Sequence, residues 1–299
     1  MELVPVQGNT YVAEGKCTIP VYRLNQKEVV LLDSGYADPD RAMLDELFSR
    51  KHLRVAAVIG SHTHLDHSGN HAYFQKTHGA QIIMPFAEAA VASGVLMGKM
   101  AYPSYTPGEA AKSLAHLLVR ADQMIFPEER HITVCGKDFD VLPLPGHTPG
   151  HTGIGTPDRV FYVGDALMSR EVYLRAKLPT AFSYAEDLSS KRALYGLSYD
   201  RYILAHKGVY NGIHPLIGEN IAYFAQRVQR VAALLQRPMS FCDVSAAAWD
   251  AFGLRTQNPF RISVFVRNLR CVLDYLCDEK VVQARFSGGV LWYERVANA

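Results

Sequence analysis

The run His62-Thr63-His64-Leu65-Asp66-His67 places three imidazoles and one carboxylate within six residues. Histidine and aspartate are costly to bury without partners, and histidines this close repel one another when they are protonated. A divalent cation removes both costs, because neutral imidazole and ionised carboxylate are ligand types that it prefers. A polar loop that happens to be rich in histidine is the weaker interpretation, because matching residue types recur downstream. The run therefore predicts a metal site.

The flanking pattern indicates where this run lies in the fold. Residues 55–59 form a short apolar strand that ends at Gly60-Ser61, a helical pattern covers 66–76, and another strand follows at 81–84. The run is therefore predicted in a strand-to-helix loop at the carboxyl end of a central strand. Loops in that position carry many of the sites of α/β proteins.

Three later residues of the same chemical types also follow predicted strands. His147 lies in a loop bracketed by proline and glycine, Asp165 follows the strand 160–163 and a glycine, and His206 ends the strand 202–205. Taken singly, each has an ordinary explanation such as a capped turn or a half-buried histidine. Together with the first run they give five histidines and two aspartates, which is enough for two metal ions that share one carboxylate.

The order of predicted elements indicates an α+β fold with two units. Strands dominate each half of the first 214 residues with helices between them, which predicts two sheets packed face to face with helices outside. From about residue 215 the pattern changes to three helices and a hairpin, which predicts a small winged-helix-like unit. The predicted domains are 1–214 and 215–299. The helices of the second domain are predicted at 219–236, 244–252 and 259–276, and its hairpin at 281–286 and 290–293.

Composition predicts a soluble globular protein. The chain has 299 residues, of which 48% are hydrophobic and 20% charged, and its formal net charge of +2 gives no general attraction to nucleic acid. We find no secretory signal pattern and no apolar run of the ~20 residues that a membrane span needs. Five cysteines without a Cys-x-x-Cys pair indicate reduced thiols, so we expect a cytoplasmic protein.

The seven candidate ligands together resemble the site of the metallo-β-lactamase superfamily. The motif His-x-His-x-Asp-His stands at 62–67, and the later ligands match in order and in strand-end context over residues 1 to about 210. Asp33, in Leu-Leu-Asp-Ser-Gly, matches an early aspartate that supports the metal loop from behind. The resemblance implies a four-layer αββα sandwich with the metals at one edge of the two sheets.

By the same resemblance, each ligand has an expected metal. The resemblance implies that His62, His64 and His147 hold the first ion, that Asp66, His67 and His206 hold the second, and that Asp165 bridges the two. Zinc suits this set of ligands best, with iron or manganese as alternatives.

The expected chemistry is hydrolysis. Two dications that share a water lower its pKa toward about 7, which supplies a bridging hydroxide at neutral pH. Asp66 is also expected to orient this hydroxide or to carry a proton to the leaving group. Since each imidazole must be neutral to bind metal, activity is expected to fall below about pH 6.

A small ester, thioester or lactone is the predicted substrate. β-Lactamases usually lack a bridging aspartate, and lactonases similar to this chain carry a tyrosine where Ala166-Leu167-Met168 stand here. Glyoxalase II-type thioesterases share the full ligand set. Arg175 and Lys177, which follow the bridging aspartate, are the candidates for binding a substrate carboxylate.

Two other functions stay open from the sequence. The winged-helix-like unit carries several arginines, so a metal-dependent endoribonuclease is the alternative, although acidic residues interrupt this charge. A cap that shapes the cleft or a homodimer face is the preferred interpretation of that unit. The third option is a non-enzymatic binding protein that keeps its metal ligands.

Overall fold

Two β-sheets form the middle of the molecule. The structure is a computed structural model that describes residues 2–102 and 105–296. Within these residues the first sheet has seven strands, whose order in space is their order in the chain. They are β1 (Leu3–Gln7), β2 (Thr10–Glu14), β3 (Thr18–Arg23), β4 (Glu28–Leu32), β5 (Arg54–Ile59), β6 (Gln81–Pro85) and β7 (Gln123–Ile125). The first four pair antiparallel, whereas β4 to β7 pair parallel.

The second sheet has the spatial order β13-β12-β11-β10-β9-β8 in the described part of the chain. Its strands are β8 (His131–Val134), β9 (Lys137–Pro143), β10 (Thr152–Gly155), β11 (Val160–Gly164), β12 (Arg201–Leu204) and β13 (Val209–Tyr210). Strands β11 and β12 pair parallel, and the other neighbours pair antiparallel. Both sheets therefore bring the carboxyl ends of parallel strands to an edge.

Helices connect the strands of the sandwich. They are α1 (Asp40–Arg50), α2 (His71–His78), α3 (Phe86–Ala92), α4 (Val95–Ala101), α5 (Pro107–Ser113), α6 (Arg170–Arg175) and α7 (Tyr184–Ala193). Helices α3 to α5 follow one another between β6 and β7, and we call this segment, residues 86–113 without the undescribed 103 and 104, the lid.

The chain ends in three longer helices and a small sheet. These elements are α8 (His214–Ala232), β14 (Met239–Ser240), α9 (Phe241–Ala251), α10 (Pro259–Asp278), β15 (Val282–Ser287) and β16 (Val290–Arg295). The predicted three helices and hairpin are present, with the extra short strand β14 beside β16. None of the helices in the described ranges is long and apolar enough to cross a membrane.

Apolar layers hold the sheets and helices together. Leu32 and Ile59 of the first sheet and Tyr162 and Ile203 of the second belong to one buried cluster between the sheets. Phe48 and the rest of α1 cover the outer face of the first sheet, while α7 and α8 cover the second. The predicted four-layer αββα sandwich is thereby confirmed. The cluster over the second sheet continues into α9, α10 and β16, so the division into domains 1–214 and 215–299 stays a prediction.

Candidate metal centre

Most of the candidate ligands follow the carboxyl ends of parallel strands. Asp33 follows β4 and His62 follows β5, which are neighbours in the first sheet. Asp165 and His206 follow β11 and β12, the parallel pair of the second sheet. His147 joins them from the loop after β9. Because the carboxyl ends of parallel strands lie at one edge, the topology collects these side chains at one edge of the sandwich.

The loop after β5 is longer than the sequence predicts. Helix α2 begins at His71 rather than at Asp66, so the predicted helix 66–76 is wrong at its start. The backbone N–H of Gly69 donates instead to the carbonyl of Gly35 at 3.0 Å. A Cβ on Gly69 would lie 2.5 Å from that carbonyl oxygen, so glycine is needed for this approach. Tertiary hydrogen bonds thus replace the first helical turn and leave Asp66 in the loop.

Three imidazoles form a first group. Nδ1 of His64 lies 3.0 Å from Nε2 of His62 and 2.9 Å from Nε2 of His147. Nδ1 of His147 donates to the carbonyl of Thr180 at 2.9 Å, which leaves its Nε2 as the lone-pair nitrogen. These three nitrogens and a carboxylate oxygen of Asp165 all lie within 4.8 Å of one another, which is close enough for one metal ion.

Two carboxylates and two imidazoles form a second group beside it. Nε2 of His206 lies 3.2 Å from Oδ2 of Asp66, and Nε2 of His67 lies 3.7 Å from the same oxygen. Asp165 stands between the groups: its Oδ2 is 3.3 Å from Nε2 of His147, and its Oδ1 is 3.4 Å from Nε2 of His206. All seven predicted ligand side chains are therefore brought together.

Asp33 lies behind this cluster and fixes one of its imidazoles. Its Oδ2 accepts hydrogen bonds from Nδ1 of His67 at 2.7 Å, from the hydroxyl of Ser61 at 2.6 Å and from the hydroxyl of Tyr162 at 2.7 Å. With Nδ1 of His67 so engaged, its Nε2 faces Asp66 and Asp165. Asp33 has the position of a support for the metal loop.

Burial keeps the first group neutral. His62 and His147 are buried and His64 is half-buried at the pocket, and burial lowers the pKa of His64 to about 4 and that of His147 to about 3. Burial, together with the neighbouring imidazoles, also holds the pKa of His62 well below its usual range. Neutral imidazole is the form that binds a metal ion.

The second group has the opposite electrostatics. The charge of Asp165 raises the pKa of His206, and the three surrounding carboxylates raise that of His67 in spite of its burial. Burial alone would raise the pKa of Asp66, but His67 and His206 outweigh it and hold that pKa at about 2. His206 and His67 likewise hold the pKa of Asp165 well below its usual range, although burial opposes them. This group therefore attracts positive charge.

The donor set fits a pair of divalent ions. Nε2 of His67 is buried without a hydrogen-bond partner among the described residues. In the first group, Nε2 of His62 and Nε2 of His147 both lie within 3.0 Å of Nδ1 of His64, and three such nitrogens cannot each satisfy a lone pair on the others. A cation at each position would satisfy all of these atoms, and nitrogen with carboxylate oxygen is a ligand set of zinc, iron and manganese.

Glu88 is a buried residue of the site that the sequence did not reveal. It lies on α3, and its Oε2 accepts the backbone N–H of Thr63 at 2.8 Å. Its Oε1 accepts the hydroxyl of Thr148 at 2.7 Å and the N–H of Gly150 at 2.9 Å. One carboxylate thus joins the loop of His62 and His64 to the loop of His147. A glutamate in an alanine-rich helix carries no spacing signal that would have identified it.

Two more residues touch the cluster. Sγ of Cys17 is buried 3.8 Å from Nδ1 of His206 and 3.9 Å from Oδ2 of Asp66. Nε2 of His151 accepts the backbone N–H of Asp165 at 3.0 Å, which positions that carboxylate. Neither contact has a sequence signal, because the partners are far apart in the chain.

A pocket of about 420 Å³ opens onto the cluster. Five of the seven candidate ligands belong to its lining: His64, Asp66, His147, Asp165 and His206. The lid, α6, α7, α8 and α10 supply much of the remaining wall together with loop residues, and the wall is mostly apolar. The lining beyond the ligands includes Tyr102, Met168, Val172, Leu178, Phe224, Phe260, Val264 and Arg267. The C-terminal helices therefore take part in shaping the cleft.

The two predicted substrate-binding residues lie outside this lining. Arg175 is exposed and pairs with Glu171 at 3.2 Å, and Lys177 is also exposed. Their neighbours Ala176 and Leu178 do line the pocket. A substrate contact for Arg175 and Lys177 stays a prediction that the geometry does not favour.

The sequence is similar to a known protein family and to several curated proteins. A family model described as the metallo-beta-lactamase superfamily matches residues 4–206, which is more than half of the chain. A hydroxyacylglutathione hydrolase of Nitrosomonas europaea is 27% identical over 146 residues, which are 48% of this chain and 43% of that protein. The chain thus spans less than half the length of this curated relative.

Solved structures share the fold at low sequence identity. A beta-lactamase domain protein from Burkholderia ambifaria covers 98% of this chain and 95% of its own, with a TM-score of 0.73 and 16% identity. A metallo-beta-lactamase family protein from Thermus thermophilus covers 98% and 97%, with a TM-score of 0.72 and 19% identity. In both of these structures the likeness extends beyond the sandwich into the C-terminal elements.

Proposed function

The chain belongs to the metallo-beta-lactamase superfamily, and from this premise we propose that it is a dinuclear metal hydrolase of a small ester, thioester or lactone. The position of Asp165 carries the proposal. Its two oxygens face imidazoles of two different groups, at 3.3 Å and 3.4 Å. A carboxylate so placed suits a bridge between two ions.

Seven side chains would hold the ions. The first ion would take His62, His64 and His147, the second would take Asp66, His67 and His206, and Asp165 would contact both. When bound, the two ions supply Lewis acidity, which makes hydroxide available at neutral pH and polarises the scissile carbonyl. Zinc is the proposed metal, with iron or manganese as alternatives.

Asp66 is the proposed catalytic residue among these seven. With its pKa held at about 2 it is ionised at neutral pH, so both of its oxygens are hydrogen-bond acceptors. It lines the pocket, where its carboxylate can orient the attacking water, take up a proton and return it to the leaving group. No serine or cysteine nucleophile is required.

The pocket supports a small-molecule substrate. A volume of about 420 Å³ lies at the lower end of the ~300–1,000 Å³ typical of small-molecule sites. The relatives named hydroxyacylglutathione hydrolase are consistent with cleavage of a thioester.

The alternative function, a metal-dependent endoribonuclease, has weaker support. Winged-helix proteins that bind nucleic acid use a helix with an accessible face. Here Phe260, Ser263, Val264 and Arg267 of α10 line the pocket. That face of α10 lines the cleft and does not face outward toward a nucleic acid. The mostly apolar lining also has few groups that bind phosphate.

A substrate panel tests the proposal. Zinc-loaded protein is assayed with S-lactoylglutathione, acyl-CoA thioesters, lactones and single-stranded RNA. We expect turnover of at least one small molecule and its loss in His64→Ala. The matched control is His131→Ala, since His131 is exposed and far from the cluster in sequence and fold. Cleavage of RNA alone, abolished by His64→Ala, would replace the small-molecule proposal by the endoribonuclease.

A further inference from the structure

Arg267 brings a positive charge to the wall of the pocket. It lies on α10, one turn after Val264 and two turns after Phe260, and all three line the cavity. Its charge is near enough to contribute to the lowered pKa of His64, a ligand of the proposed first ion. The guanidinium therefore stands beside the reaction centre rather than on the outer surface.

This guanidinium has no counter-ion in the structure as described. Its Nη1 donates to the carbonyl of Ala101 at 3.3 Å, and its Nε is buried without a hydrogen-bond partner among the described residues. Burial lowers its pKa, but arginine keeps its charge at neutral pH. A half-buried cation without a counter-ion is costly, and an anion that enters the pocket offsets that cost.

The other basic side chain of the pocket wall shows the contrast. Lys191 also lines the cavity, yet its Nζ lies 2.5 Å from Oδ2 of Asp187 and 4.3 Å from the ring centroid of Phe224. Its charge is balanced within the protein. Of these two basic residues, Arg267 is the one left free for a ligand.

We propose that Arg267 binds a carboxylate of the substrate, so that the pocket takes a small ester or thioester with an anionic group on an apolar body. The inference rests on the proposed hydrolase function and narrows its substrate class. The planar guanidinium matches a carboxylate with two parallel hydrogen bonds. Val172, Leu178 and Phe224 line the same cavity and offer contact to the apolar part. A neutral lactone would leave the cation unpaired and is the poorer fit.

Two matched esters test the assignment. Zinc-loaded wild type and Arg267→Gln are assayed with mono-4-nitrophenyl adipate, which carries a carboxylate, and with neutral 4-nitrophenyl hexanoate. We expect the substitution to lower kcat/KM for the adipate ester about tenfold or more, mainly through KM, and to change kcat/KM for the hexanoate ester less than about twofold. Arg267→Lys keeps the positive charge but lacks the planar guanidinium, so its kcat/KM for the ester with the carboxylate should lie between those of wild type and Arg267→Gln. Arg261→Gln, an exposed arginine of the same helix, is the matched control.

The outcomes separate this inference from the proposed function. An equal loss for both esters in Arg267→Gln would overturn carboxylate recognition and assign the residue to holding Ala101 of the lid, while the hydrolase would stand. If wild type cleaves neither ester nor any compound of the panel, the proposed function fails. Calorimetric titration with butyrate and butyramide then still tests Arg267. A tighter butyrate complex in zinc-loaded wild type than in zinc-loaded Arg267→Gln supports the inference, and equal affinity overturns it.

Discussion

The carboxylate of Glu88 accepts the backbone N–H of Thr63 at 2.8 Å, and this bond ties the lid to the loop of the first two ligands. The same side chain holds the hydroxyl of Thr148 and the N–H of Gly150. A residue that touches no proposed metal therefore sets the distance between the two histidine loops. The contribution of Glu88 to the site can be tested by substitution.

Replacing Glu88 by glutamine should loosen the first metal position. An amide turns one acceptor oxygen into a donor, so at least one buried N–H or O–H loses its partner, at a cost of about 1–3 kcal/mol. Removal of groups that orient metal ligands typically costs ~10–100-fold in affinity. We expect a loss in that range in zinc competition assays, with a folded protein by circular dichroism. Glu46→Gln, on the exposed face of α1, is the control, and equal zinc affinity in the two variants would refute the role of Glu88.

Asp33→Asn should act on the second metal position. Three donors meet at Oδ2 of Asp33, and the charge of this carboxylate also favours the proton on Nδ1 of His67. The amide keeps one oxygen, so an NH2 group must face either the three donors at Oδ2, His67 among them, or the backbone N–H of Ser61, which donates to Oδ1 at 2.6 Å. Either arrangement disturbs the support of His67. We expect the second ion to bind ~10–100-fold more weakly and the first to be nearly unchanged. Metal content measured at limiting zinc should therefore fall toward one ion per chain, while exposed Asp250→Asn should retain both.

The sequence predicted the site better than its surroundings. The strands β4, β5, β11 and β12 have apolar runs that end in glycine or polar residues, and the ligands follow those ends. The later ligands were assigned by resemblance, because spacing alone left each with an ordinary explanation. Asp33 was found in the same way.

Residues that depend on tertiary packing could not be found from the sequence. Glu88 reads as a surface residue of a short helix, and Cys17 as one of several scattered thiols. Arg267 is one of several arginines of the C-terminal unit, whose charges suggest nucleic acid as readily as a small anion. The packing of the C-terminal helices on the second sheet decides which face of α10 lines the cleft. No local sequence pattern predicts this packing. Closeness in sequence to Asp165 predicts a substrate contact for Arg175 and Lys177, but neither side chain lines the pocket, and Arg175 lies at the end of α6 with an exposed side chain.

Cys17 is expected to act as a hydrogen-bond partner rather than as a ligand. Burial raises the pKa of its thiol, and the contact to Nδ1 of His206 lies on the side of that ring away from Asp165. Metal ligation requires the thiolate. Cobalt-substituted wild type and Cys17→Ser should therefore show the same near-ultraviolet spectrum, with activity that differs less than about tenfold. A thiolate-to-cobalt band in wild type that disappears in Cys17→Ser would show that the sulfur is a ligand.

The two metal positions should differ in their dependence on pH. The pKa of His64 is lowered to about 4 and that of His147 to about 3, so the first position is neutral and ready for metal throughout the neutral range. The pKa values of His67 and His206 are raised, so these imidazoles are protonated before metal binds and an incoming ion must displace the protons. Each displaced proton weakens binding about tenfold for each pH unit below the pKa. We expect one tightly bound ion at about pH 5.5 and two at about pH 8, and we expect activity to appear as the second ion binds.

Calorimetry in buffers of different ionisation enthalpy should assign proton release to the second ion and not to the first. His206→Ala should reduce that release by about one proton. Equal release at both positions would contradict the charge separation between the two groups.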